Sequence, residues 1–129
     1  MGRYYDGDIE GKFWFGVQSS DDAEFFGAKA REPMYVEYGV EDIAEVDKGL
    51  DVCVLNLGIN KKRLDEFFDL CEHGYNDEML IKHYKDKLRL TIDEGFVMKM
   101  LTWYARLDLG EKIKKCMVDK GFCEFRAEL

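Results

Sequence analysis

The order of patterns along the chain predicts an α+β fold. A small antiparallel sheet, made of two N-terminal strands and the C-terminal strand, is covered on one face by about four helices. Three observations carry this expectation. Aromatic and β-branched runs with period-two alternation occur only near the two ends, at Lys12–Gln18, Met34–Val40 and Phe122–Leu129. Between residues 41 and 121 the apolar positions instead recur at helical spacing. Strands are thereby segregated from helices, as in α+β domains. No repeat, low-complexity tract or Pro/Ser-rich linker interrupts the 129 residues, so one domain is expected over 1–129.

Taken in order, Asp6–Gly11 (DGDIEG) reads as a turn leading into the first strand, Lys12–Gln18. In that strand Phe13, Phe15 and Val17 share one face, and Lys12, Trp14 and Gln18 the other. SSDDAEFFG follows as a short helical turn, capped by Ser19 or Ser20, with Asp21 and Asp22 at its positive end and Gly27 as its stop. Phe25 and Phe26 pin it to the core. Pro33 opens the second strand, where Met34, Val36 and Tyr38 share a face. Residues 41–57 admit two readings. Val52, Val54 and Leu55 suit a strand, but Ile43, Val46, Leu50, Cys53 and Leu57 follow 3-4-3-4 spacing before Gly58, and helix is the reading adopted.

The next helix carries Leu64, Phe67, Phe68 and Cys71 at i, i+3, i+4, i+7 and ends at Gly74. Asn76, backed by Asp77 and Glu78, opens another with Leu80, Tyr84 and Leu88 on one face. Thr91 and Glu94 match a T-x-x-E capping box for the longest helix. Its stripe of Phe96, Val97, Met100, Leu101, Tyr104 and Leu107 suits the central, most buried element, with a kink expected at Gly110 and an end at Gly121. In the closing strand Cys123, Phe125 and Ala127 point inward, and Glu124, Arg126 and Glu128 outward.

A hydrophobic share of 47% with 14% aromatics excludes disorder. The formal charge of −8 disfavours direct binding of nucleic acid or an anionic membrane surface, both of which need positive surface. All of that charge resides in residues 1–60, with 13 acids and 5 bases; residues 61–129 hold 14 of each. No apolar run approaches the roughly 18 residues of a membrane span, and the charged opening is no signal peptide. A cytoplasmic protein with reduced thiols is the expectation, and Cys53, Cys71, Cys116 and Cys123 read as small buried hydrophobes.

Chemistry-bearing motifs are sparse. Asp6-Gly7-Asp8-Ile9-Glu10-Gly11 starts like a calcium loop, yet the position for the bidentate Glu is Val17 and no helix precedes it. Cys71, His73, His83, Cys116 and Cys123 include zinc-ligand types without paired spacing. His73 suits a cation at a helix C-terminus, and His83 the boundary between helix face and solvent. There is no nucleophile elbow, P-loop or dinucleotide fingerprint. No catalytic residue, metal ligand or cofactor is assigned. Tyr4, Tyr5, Trp14, Trp103 and Tyr104 lack the basic groove of a base-stacking platform.

The stretches YYDGDIEGKFWFGVQSSDDAEFFG and TWYARLDLGEKI, with the closing FCEFRAEL, resemble a family of small uncharacterised proteins from large DNA viruses of microbial eukaryotes and from marine metagenomes. The resemblance implies an intracellular setting and contact with host or virion proteins, and no reaction.

The leading expectation is a non-enzymatic interaction or structural module. Asp6, Asp8, Glu10, Asp21, Asp22 and Glu24, with Trp14 as an exposed anchor on the outer sheet face, would engage a protein partner or a second copy. The alternatives are a small enzyme or a ligand or divalent-cation binder with a pocket between sheet and helices, and an acidic nucleic-acid mimic.

Overall fold

The computed structural model describes residues 3–14, 16–30, 36–71 and 74–127. Its strands are β1 (Tyr4–Gly7), β2 (Gly11–Lys12), β3 (Lys29–Ala30), β4 (Val36–Val40) and β5 (Cys123–Ala127). They pair antiparallel in the order β2-β1-β5-β4-β3. Four helices complete the α+β fold: α1 (Ile43–Leu57), α2 (Asn60–Leu70), α3 (Asp77–Leu88) and α4 (Glu94–Lys120).

The last strand occupies the centre of the sheet because its alternation is the cleanest. Cys123, Phe125 and Ala127 are buried, and register places them against Val40, Tyr38 and, in β1, Tyr5. These side chains form the floor of the core. On the opposite face Arg126 lies between Asp6 and Glu37, a row of alternating charge that suits a solvated surface.

The roof is α4, about 40 Å long at 1.5 Å per residue. The Lys114–Asp47 ion pair and the approach of Leu50 to Gly110 show that α1 packs on it antiparallel. Between them sits a 3₁₀ helix, Asp22–Phe26, whose Phe26 is fully buried. A Cβ on Gly49 of α1 would lie 2.6 Å from the Phe26 ring, and one on Gly110 of α4 would lie 2.3 Å from it. Two glycines with poor helix propensity are therefore kept within helices to make a socket for one aromatic ring. α4 runs through Gly110 without interruption, so the glycine there serves packing and not the expected kink.

Several local expectations change. The strand expected at Lys12–Gln18 ends at Lys12; Phe13 enters the core, and Val17 and Gln18 donate to the Trp14 carbonyl in a turn. Gly16, at φ +73°, supplies the left-handed residue that breaks the strand. The sheet position goes to Tyr4–Gly7, half of it from the stretch expected to be a turn. Gln18 is buried, not outward-facing. Residue Asp21 precedes the 3₁₀ helix without a side-chain cap, and the Ser20 hydroxyl accepts a hydrogen bond from Arg3. Gly27 ends it in the left-handed conformation as expected.

The helical reading of 41–57 is borne out, with Asp42 capping Ala44 N and Val46, Cys53 and Leu57 buried. α2 stops at Leu70, four residues before Gly74. Asn76 caps α3 through Met79 N at 2.9 Å. The α4 cap is Asp93, which accepts from Phe96 N at 2.8 Å, in place of the Thr91–Glu94 box. Phe15, Pro33, Met34, His73 and Glu128 lie outside the described residues.

Candidate functional site

The six acids of the expected partner surface do not act alike. Asp8 is a structural clamp: its carboxylate accepts from Lys120 Nζ at 2.8 Å and from Glu124 N at 2.9 Å, and its own amide donates to Glu124 O. The Lys120 hydrogen bond, with the Glu124 amide second, holds the Asp8 carboxyl below the usual carboxylate range. The β1–β2 hairpin is thereby tied to the junction of α4 and β5.

Asp22 is buried beneath the surface it was expected to charge. It accepts from Arg106 Nε at 2.7 Å and Gln18 Nε2 at 2.9 Å, and the Arg106 guanidinium lies 4.6 and 4.8 Å from the Phe25 and Trp103 rings. This pair docks the 3₁₀ helix onto α4. Asp6, Glu10, Asp21 and Glu24 are exposed. Tyr38 is pushed up to about 12, chiefly by burial and then by the nearby charges of Glu24 and Asp21. Lys120 and Arg106, the anchors of Asp8 and Asp22, are 14 positions apart on one helix, or about 21 Å. The acids therefore mark two places, not one patch.

Trp14 also moves. It is half-buried in the loop after β2 and not exposed on the outer sheet face. Its ring packs edge-on against Phe68 at 5.5 Å and Tyr104 at 5.9 Å, and tilted against Tyr75 at 6.0 Å. Phe68 and Tyr104 stack at 5.3 Å. The Tyr104 hydroxyl donates to Asp65 at 2.6 Å, and Lys61 pairs with the same carboxylate, so this end of the cluster is locked by polar contacts. Burial and the Asp65 contact push the Tyr104 hydroxyl up.

The free edge of that aromatic cluster opens on a broad cleft of about 820 Å³. Phe13, Trp14 and Tyr75 form its apolar wall, and Lys12, Asp77, Glu78 and Glu94 its charged rim. The three carboxylates stand in the first turns of α3 and α4, where a positive helix end favours them. Three acids against one lysine leave the rim formally at −2. Burial, followed by the charge of Asp77, raises the Tyr75 hydroxyl. The lining combines aromatic rings with a net-negative rim, surroundings that favour a positive charge in the cleft.

Sequence reasoning found Trp14 but read Asp77 and Glu78 only as helix-start charges and passed over Tyr75. The signal was present in GYNDE, an aromatic residue just before an acidic helix start. Its pairing with Trp14, some sixty positions away, exists only in three dimensions.

The remaining reactive groups are dispersed. His83 is half-buried, its ring 5.3 Å from that of Phe67. All four cysteines are free thiols; burial pushes Cys53 up to about 12 and raises Cys123 as well. Among the described residues no group of three His, Cys, Asp or Glu side chains is placed to hold a metal ion, and no helix is long and apolar enough to cross a membrane. Comparison with protein-family models, curated proteins and solved structures produced no match.

Proposed function

We propose that the protein is a non-enzymatic interaction module whose Trp14–Tyr75 cleft receives a Lys- or Arg-bearing segment of a partner protein. The observation that carries this reading is the juxtaposition of two half-buried aromatic rings with the carboxylates of Asp77, Glu78 and Glu94 around one open cleft. A cation there meets ring faces and net negative charge together, so its aliphatic stem and charged head are both accommodated. The overall charge of −8 steers basic partners toward the molecule.

The test is selection of peptides from a random displayed library on the intact protein, followed by titration of the selected sequences against Trp14 fluorescence in a Trp103→Phe background. Lys/Arg-rich sequences should emerge, and binding should weaken with salt. The triple variant Asp77→Asn, Glu78→Gln, Glu94→Gln should bind about tenfold more weakly, since exposed charges contribute roughly 0.5 kcal/mol each. Sequences without basic residues, or equal affinity for the triple variant, would overturn the assignment.

A further inference from the structure

A second cavity, of about 400 Å³, lies on the other side of the α4 N-terminus, where α2 begins and the α3–α4 connection passes. Its apolar lining is Leu90, Ile92 and Phe96, and its polar lining is Arg63, Asn60 and Thr91, with Tyr84 and Asp93. Three of these polar groups are already engaged. Tyr84 donates to Asn60 Oδ1 at 2.8 Å, and Asp93 caps Phe96 N.

Arg63 is different. Its guanidinium makes one long hydrogen bond, 3.5 Å to Asn60 Oδ1, and among the described residues no carboxylate lies within ion-pair distance of it. A half-buried guanidinium with most of its five N–H donors unused, at the wall of a cavity with an apolar side, is suited to a carboxylate or phosphate oxyanion. The surroundings reinforce this. The lining carries one base, Arg63, and one acid, Asp93, whose carboxylate is taken up in capping Phe96 N, while the neighbouring sequence at 60–63 and 85–91 is rich in Lys and Arg. α2 also lacks a side-chain cap, which leaves its positive end available on the same side.

We infer that this cavity binds a small organic oxyanion, a carboxylate or phosphate monoester on an apolar body, with Arg63 gripping the head group and Leu90, Ile92 and Phe96 holding the body. The volume falls within the range of small-molecule sites. Nothing in this assignment depends on the Trp14 cleft, which has the opposite charge preference.

Amide chemical-shift titrations of the intact ¹⁵N-labelled protein with benzoate, phenyl phosphate and neutral benzamide test it. At least one anion should give saturable shifts centred on Asn60–Arg63 and Leu90–Phe96, and the tighter of the two identifies the head group. Benzamide should bind at least about tenfold more weakly, and Arg63→Gln should remove that difference. No saturation by either anion below about 20 mM would overturn the proposal. So would equal binding of benzamide, or a short single-stranded DNA shifting the surface lysines while neither anion moves the cavity residues. The comparison of anion with neutral probe on the unsubstituted protein decides the matter even if Arg63→Gln were to fold poorly.

Discussion

The Phe26 socket makes a prediction that runs against helix propensity. Replacing a mid-helix glycine by alanine ordinarily stabilises a helix by about 1 kcal/mol. At Gly110 the new Cβ would lie 2.3 and 2.4 Å from two atoms of the Phe26 ring and 2.8 Å from Leu50 Cδ2. Leu50 can yield at its flexible end. Phe26 cannot, because it is fully buried and its other flank is closed by Gly49. Overpacking of this kind costs about 1–3 kcal/mol, at the upper end where the blocked atom belongs to a rigid ring.

Gly110→Ala should therefore destabilise by about 1–2 kcal/mol net and lower Tm by roughly 3–8 °C in a chain of this size. Gly95→Ala in the first turn of the same helix is the control. Its nearest neighbour would be an Asp93 oxygen at 3.4 Å, so the propensity gain should appear nearly undiminished and raise Tm by a few degrees. Urea unfolding of both, together with a double-mutant cycle against Phe26→Ala, completes the assay. Phe26→Ala alone should cost about 3–5 kcal/mol, and in its background Gly110→Ala should become neutral or stabilising, a coupling near 2 kcal/mol. If Gly110→Ala raises Tm as Gly95→Ala does, or the two changes add within about 0.5 kcal/mol, the socket is not what keeps glycine at this position.

Two further outcomes are expected. Arg106→Met strands the Asp22 carboxylate in a buried setting and should cost about 2–3 kcal/mol, below the full buried-pair figure because Arg106 keeps some solvent contact; adding Asp22→Asn should recover part of the loss. A change under about 0.5 kcal/mol in urea unfolding would remove Asp22 from the structural pairs. Asp8, whose folded pKa is depressed by Lys120 and the Glu124 amide, favours the folded state at neutral pH. That contribution should persist above about pH 4 and disappear as pH falls through the depressed value. The stability gap between the unsubstituted protein and Asp8→Asn should close on acidification, and curves that stay parallel from neutral pH down to about 2 would contradict the clamp.

Wherever local chemistry sufficed, it was legible in advance. The 3-4-3-4 spacing through Cys53 outweighed the β-branched residues of α1, because burying one continuous stripe on α4 stabilises more than strand propensity does. Asn76 as a cap and the alternation of β5 rested on interactions within a few residues and came through unchanged. The N-terminal strand did not. KFWFGVQ has strand composition, but the place beside β5 was taken by Tyr4–Gly7; only Lys12 of the run pairs in the sheet, while Phe13 went to the core and Trp14 to the cleft. Composition reports what a segment can bury, not which neighbour it will bury against.

The candidate sites divide the same way. Charge counting placed the acidic excess correctly in the first half of the chain, yet no count distinguishes exposed Asp6 from Asp22, which becomes half of a buried ion pair once α4 passes above it. The cleft needs Trp14 beside Tyr75, and the second cavity needs Arg63 beside the α3–α4 connection. Fold class and helix faces follow from periodicity and backbone hydrogen bonding, which act over one or two turns; of the expected N-terminal caps only Asn76 held, while Ser19 or Ser20 and Thr91 did not cap their helices. Which carboxylates remain free, and which rings line a cleft, depends on contacts between residues tens of positions apart, and only the packed chain supplies those.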